Sequence, residues 1–314
     1  MIEIFFHNMY TAFVQVAILA VLVAIGFACD RKKLFTEKAS RLSNDLLFYI
    51  VTPAIICKAF LSVEKSPETL KRLGIAFACG ILINILGIAI ATPIFHKLGK
   101  ENSAIFKFAS IYGNVGYMAL PLADAILGEE GVFFCSAIVV AFNIFCFTHG
   151  VFIMSAGNEK KKFDYKKILV NPGTISIIIG LPLFLFNIKL PAIIGTPIQH
   201  LANLNTPLAM LMFGTYLSNS DLKTMFKEKC AYISAGLKLI LIPIAVILTA
   251  RLMGVKDNSL VALAISASAP TANATIMFAA KYNKDTGVAS KTASLTSIFS
   301  IITIPAIIAF AKLL

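Results

Sequence analysis

The sequence predicts an all-α polytopic membrane protein, ten transmembrane helices arranged as two inverted five-helix repeats with broken, crossing fourth and ninth helices. Three observations predict it. Hydrophobic residues make up 58% of the chain and charged residues 14%, where a soluble domain carries about 25% charged residues. The mean hydropathy is +0.84. Two of the apolar stretches are interrupted in the same way, by Pro121-Leu122-Ala123-Asp124-Ala125 and Pro270-Thr271-Ala272-Asn273-Ala274, a shared P-x-A-[DN]-A.

A membrane-crossing helix needs about 20 mostly apolar residues. On that measure spans are expected at 9–29, 43–62, 73–95, 103–127, 131–154, 168–187, 197–218, 230–250, 259–281 and 288–311. The N-terminus lacks the basic region of a cleavable signal, so its apolar run is read as the retained first span. The polar stretch after the fifth span, GNEKKKFDYKK, is the natural divide. It separates a first repeat (1–155) from a second, inverted one (168–314), with 156–167 as a cytoplasmic connecting loop.

Orientation follows from the basic residues. With the adjoining span ends included, 19 of the 28 Lys and Arg lie beside the loops after odd-numbered spans and 7 lie on the other side. This bias places both termini outside the cytoplasm of a multi-pass plasma-membrane protein. It also accounts for the net charge of +12 without nucleic acid as a partner, and only four of the basic residues are Arg, the side chain suited to bidentate phosphate recognition. With five spans per half, any repeat must be inverted. A second pair of anchors supports one: Gly26 precedes Pro53 by 27 positions, and Gly180 precedes Pro207 by the same 27. Thr52-Pro53 and Thr206-Pro207 are read as kinks or hinges in spans two and seven.

The stretch Tyr112 to Ala125 is long enough to cross a bilayer with its flanks and yet is a poor helix. Gly113 and Gly116 lower helix propensity, and Pro121 removes a backbone donor. Asn114 and Asp124 are costly against lipid. Such a break is tolerated where protein or a water-filled cavity satisfies the freed backbone, and paired breaks in two halves mark the binding site of a secondary transporter. With Pro121 and Pro270 at the first positions of half-helices, two positive helix ends face one another, a setting for an anion. The candidate substrate-binding set is Asn114, Tyr117, Pro121, Asn143, Pro270, Thr271 and Asn273. The alternative for these residues is ordinary kinks and helix-to-helix hydrogen bonds.

Asp124, the one carboxylate inside a broken span, and Lys58, inside span two, are the candidates for proton coupling. Lys58 otherwise snorkels to the interface, and Lys238 in span eight has the same two readings. The six cysteines have no metal-like spacing and read as packing residues; neither a cofactor nor a metal is expected. The four scattered histidines form no H-E-x-x-H pattern. A membrane aspartyl protease would need two facing carboxylates, so an enzyme is not expected.

Several motifs together resemble the auxin efflux carrier family: N-V-G-Y-M-A-L-P-L from Asn114; Thr206-Pro207-Leu208-Ala209 with Gly214 and Leu217; A-P-T-A-N-A with Ala280 and Tyr282; and S-I-F-S-I-I-T-I-P from Ser297. The resemblance covers essentially the whole chain. It implies fourth and ninth helices that cross at their prolines, and transport of organic anions by movement of a crossover domain against a scaffold. The family's crossing asparagines carry over to Asn114 and Asn273. The short loop after span five and the Pro-Thr-Ala-Asn run resemble bacterial members. The expected substrate is therefore a small carboxylate such as malate or malonate, with an auxin-like aromatic carboxylate, or an anion channel or sensor on the same scaffold, as the alternatives. The lipid bilayer, the substrate anion and protons are the partners this implies, and a homodimer is compatible with it.

Overall fold

The computed structural model describes residues 2–96, 100–155, 172–219 and 225–314. The connecting loop 156–167 and the opening of the second repeat therefore lie outside the described residues. Every regular element described is helical. Six helical runs are long and apolar enough to cross a membrane: Phe13–Arg31, Lys38–Ser62, Pro67–Ile94, Val115–Ser155, Lys229–Leu252 and Thr286–Leu313.

In chain order the helices are α1 (Ile2–Arg31), α2 (Glu37–Leu46), α3 (Thr52–Ser62), α4 (Pro67–Ile94), α5 (Lys100–Ile111), α6 (Leu120–Phe145) and α7 (Val151–Ser155). They continue as α8 (Pro172–Leu185), α9 (Ala192–Asn203), α10 (Asn205–Ser218), α11 (Lys229–Gly236), α12 (Ile242–Leu252), α13 (Asp257–Ser268), α14 (Ala274–Lys281) and α15 (Thr286–Leu313).

Three of the joins have one cause. A wide π turn covers Leu47–Val51, Val115–Ala119 and Leu237–Leu241, and each ends two residues before a proline: Pro53, Pro121 and Pro243. A proline ring clashes with the carbonyl four residues back and supplies no N–H. Widening the turn that carries that carbonyl relieves the clash and keeps the helix running. Pro53 and Pro121 therefore sit inside continuous helical runs. Pro207 behaves differently: the chain turns at Leu204 between α9 and α10, and Thr206-Pro207 lie in the first turn of α10. There the missing N–H has no helical partner to lose.

The helices pack as two bundles. In the first, α1 lies along α10, and α3 packs on α8 and α9. The second gathers α4, α6, α12, α13 and α15, with α5, α11 and α14 against them. The bundles meet where α1 touches α15 and where α3 and α8 touch α6. Aromatic residues fill the second seam, with the Phe133 ring of α6 4.8 Å from Phe60 of α3 and 5.1 Å from Phe184 of α8.

Gly128 bends the long Val115–Ser155 run. Its φ of 63° and ψ of −152° belong to a region that essentially only glycine enters. The two glutamates that follow then point to different neighbours. Glu129 pairs with Lys58 of α3 at 3.3 Å. Glu130 takes Arg72 of α4 at 3.4 Å and the side-chain amide of Asn258 of α13 at 2.9 Å. The Lys58–Glu129 pair thus links the bundles, and the Glu130 contacts lie within the second.

Candidate functional site

The two helix breaks meet in space. Tyr112–Asn114 separates α5 from the π turn that opens at Val115, and 269–273 separates α13 from α14. They run antiparallel, with Gly113 opposite Thr271. The Asn114 N–H donates to the Pro270 carbonyl at 2.6 Å, and the Ala272 N–H donates to the Tyr112 carbonyl at 2.9 Å. The Thr271 hydroxyl donates to the Ala109 carbonyl in the last turn of α5 at 2.9 Å, and its own N–H donates to the Thr296 hydroxyl of α15 at 3.2 Å. Each break thus satisfies backbone groups the other leaves open. α5 and α13 have 12 residues each, or about 18 Å, well short of the length that crosses a hydrocarbon core about 30 Å thick.

Tyr112 anchors the first break. It is fully buried, and its hydroxyl donates to the Phe145 carbonyl at 3.0 Å and lies 2.9 Å from His149 Nδ1. Gly113 is required where it stands: a methyl group there would lie 2.7 Å from Lys238 Nζ and 2.9 Å from the Ala269 carbonyl oxygen.

The prolines are placed otherwise than expected. Pro270 belongs to the crossing, but Pro121 lies about two turns beyond it, buried in α6. The residues that stand immediately before the outgoing half-helices are Asn114 and Asn273. The shared P-x-A-[DN]-A motif therefore marks the crossing in the second half only. In the first half the crossing falls earlier, at Gly113, because the π turn carries the helix straight through Pro121.

Neither asparagine side chain caps its own helix. Both line a narrow cleft together with Asn44, Leu47, Tyr117, Met118, Met210, Phe213 and Tyr216. The cleft holds only about 10 Å³, barely room for one water. Met118, Met210 and Phe213 also border an apolar cavity of about 320 Å³ between α1, α6, α10 and α15. Asn114, Tyr117 and Asn273 are thus brought together. The Thr271 hydroxyl is committed to the Ala109 carbonyl at the crossing, and Asn143 is buried in α6 away from the cleft lining. Asn44 and Tyr216, contributed by α2 and α10, were not singled out by the sequence pattern; an asparagine and a tyrosine near the ends of ordinary spans carry no local signal.

Lys58 and Asp124 lie apart from this cleft. Lys58 lines a polar cavity of about 560 Å³ with Glu64, Lys65, Asn187, Lys189 and Gln199, and Asp124, half-buried, is within electrostatic reach of Lys58 and Glu129. Lys58 is engaged by Glu129 in an ion pair of 3.3 Å.

Residues 11–308 match the family described as membrane transport protein. An uncharacterized transporter of Methanocaldococcus jannaschii is 26% identical over 307 residues, 92% of this chain and 95% of that protein. A Rhizobium meliloti protein named "Putative malonate transporter" is 27% identical over 300 residues, 90% of each chain. The uncharacterized transporter YfdV of Escherichia coli is 21% identical over 300 residues, 91% of this chain and 93% of its own.

Proposed function

Because the chain belongs to the auxin efflux carrier family of membrane transport proteins, we propose that it is a secondary carrier of small carboxylates, working by alternating access around the crossed helix breaks. One observation carries the reading: Asn114 and Asn273, from opposite halves of the chain, stand before the two outgoing half-helices and line one cleft. The N-terminal end of a helix presents unpaired N–H groups and about half a positive charge. Two such ends and two neutral amides suit a carboxylate, which accepts several hydrogen bonds. The name of the Rhizobium relative makes malonate the first anion to try.

The cleft is too small for malonate as it stands, so binding goes with a separation of the bundles. The second bundle, which carries both breaks, is the moving part, and the first is the scaffold. Ten spans as two inverted repeats, 1–155 and 168–314, fit the antiparallel meeting of the breaks. Both termini then face outward across the plasma membrane. A cysteine at position 129 should react with an impermeant reagent from the outside and one at position 160, which lies outside the described residues, from the inside; labelling of both from one side would refute this topology.

Lys58, Glu129 and Asp124 lie at the seam that must part, and Asp124 is the group to which we assign proton coupling. The experiment is malonate uptake into liposomes under a pH gradient. Wild-type protein is expected to accumulate malonate, and Asp124→Asn to keep counterflow exchange while losing pH-driven accumulation. Accumulation by Asp124→Asn with the wild-type pH dependence would make Asp124 structural. No saturable uptake of any carboxylate by wild-type protein would overturn the carrier reading itself.

A further inference from the structure

Among the described residues Lys238 is the one charged side chain that is buried, at 1% exposure. It lies in the π turn before Pro243, on a helix held to α5 one turn earlier by a 2.8 Å contact between the Ser234 and Ser110 hydroxyls. Its Nζ donates to the Ala267 carbonyl at 3.1 Å, in the last turn of α13. The same nitrogen packs against Gly113, two residues past the end of α5. Lys238 therefore stands where the C-terminal ends of both incoming half-helices converge. Among the described residues no carboxylate forms an ion pair with it.

Each helix C-terminus carries about half a negative charge on carbonyls that lack helical partners. Two of them meeting at membrane depth amount to about one elementary charge, with carbonyl oxygens as the available ligands. Such a cluster is what an alkali-metal ion selects, since hard cations take oxygen ligands. We propose that Lys238 is a tethered counter-cation that occupies this position permanently, so that an anion binds at the opposite, N-terminal ends without a co-bound sodium ion. The crossing then has a built-in polarity: the lysine on the side of the C-terminal ends, Asn114 and Asn273 on the side of the N-terminal ends. Gly113 belongs to the same device, because any side chain there would displace the amine. The functional consequence rests on the carrier reading; the cation site itself does not.

The test uses purified full-length protein in detergent. Malonate affinity of the wild type should be equal in sodium and choline salts. Lys238→Ala should bind malonate at least about tenfold more weakly, because the helix-end charge that the amine neutralises then repels the anion. It should also melt at lower temperature and regain stability in n-propylammonium, with no such recovery in n-propanol and none for the wild type. A purely packing role for Lys238 would give equal recovery from the alcohol and the amine, and would overturn the proposal. So would a sodium requirement in the wild type, a result that needs no variant to fold. If wild-type protein binds no malonate, the carrier reading fails on that point, and the propylammonium comparison still decides whether a cation site exists.

Discussion

Gly214→Val and Gly26→Val are each expected to lower the melting temperature sharply and to reduce the recovery of monodisperse protein. The two glycines face one another across α10 and α1, and a Cβ built on either would run into backbone: the Val23 carbonyl oxygen for Gly214, the Leu211 carbonyl oxygen for Gly26. Backbone atoms inside a helix cannot swing aside as a side-chain end can, so the helices must separate. In lipid, helix association relies on close van der Waals approach through small residues, and separation forfeits it along the whole α1–α10 contact. Overpacking a core typically costs about 1–3 kcal/mol and sometimes more; with backbone on the far side the upper end applies, on the order of 3 kcal/mol. That is a large part of a usual stability of about 5–15 kcal/mol. Size-exclusion profiles and melting curves of the solubilised variants measure it. Gly74→Ala is the control, because nothing lies within 4 Å of a methyl group there, and in a helix it should stabilise by up to about 1 kcal/mol. A monodisperse Gly214→Val protein melting with the wild type would show that α1 and α10 do not approach as described.

Asn114→Ala and Asn273→Ala are each expected to weaken malonate affinity tenfold to over a hundredfold, with little change in melting temperature. A hydrogen bond to a charged group contributes about 1.5–3 kcal/mol, and each 1.4 kcal/mol is about tenfold in affinity. Stability should hold because neither side chain caps its helix; the crossing is held by backbone bonds from Asn114 and Ala272, which alanine keeps. Isothermal titration of the two variants against wild-type protein separates the effects. If both bind malonate as tightly as the wild type, the anion site is elsewhere, and the polar cavity beside Lys58 becomes the place to look. A melting temperature that falls in step with affinity would instead make the asparagines structural.

The presence of a break in each half could be read from the chain because backbone preference is local, but in the first half its place was read about two turns too late, at Pro121 instead of Gly113. Gly113, Asn114, Gly116 and Pro121 in one half, and Pro270 and Asn273 in the other, disfavour a regular helix wherever they are put. The membrane character and the family motifs were legible for the same reason: they lie in composition and in short runs. What prolines do to a helix was not, because it depends on whether the preceding turn can widen. At Pro121 it does, and the helix passes through; at Pro270 the backbone has left the helix, and Thr271 pairs with Gly113, 158 positions earlier in the chain. Two repeated motifs of the same spelling therefore occupy different places relative to the crossing. The partners of the charged residues were equally out of reach. Lys58 and Lys238 read alike as lone lysines in apolar spans, yet one meets Glu129 across the seam between bundles and the other meets the Ala267 carbonyl at a helix end. Neither outcome follows from neighbours in the sequence. Each is decided by which distant helix the packing brings alongside, and in a low-dielectric interior that neighbour sets whether a charge is paired, capped or exposed to a cavity.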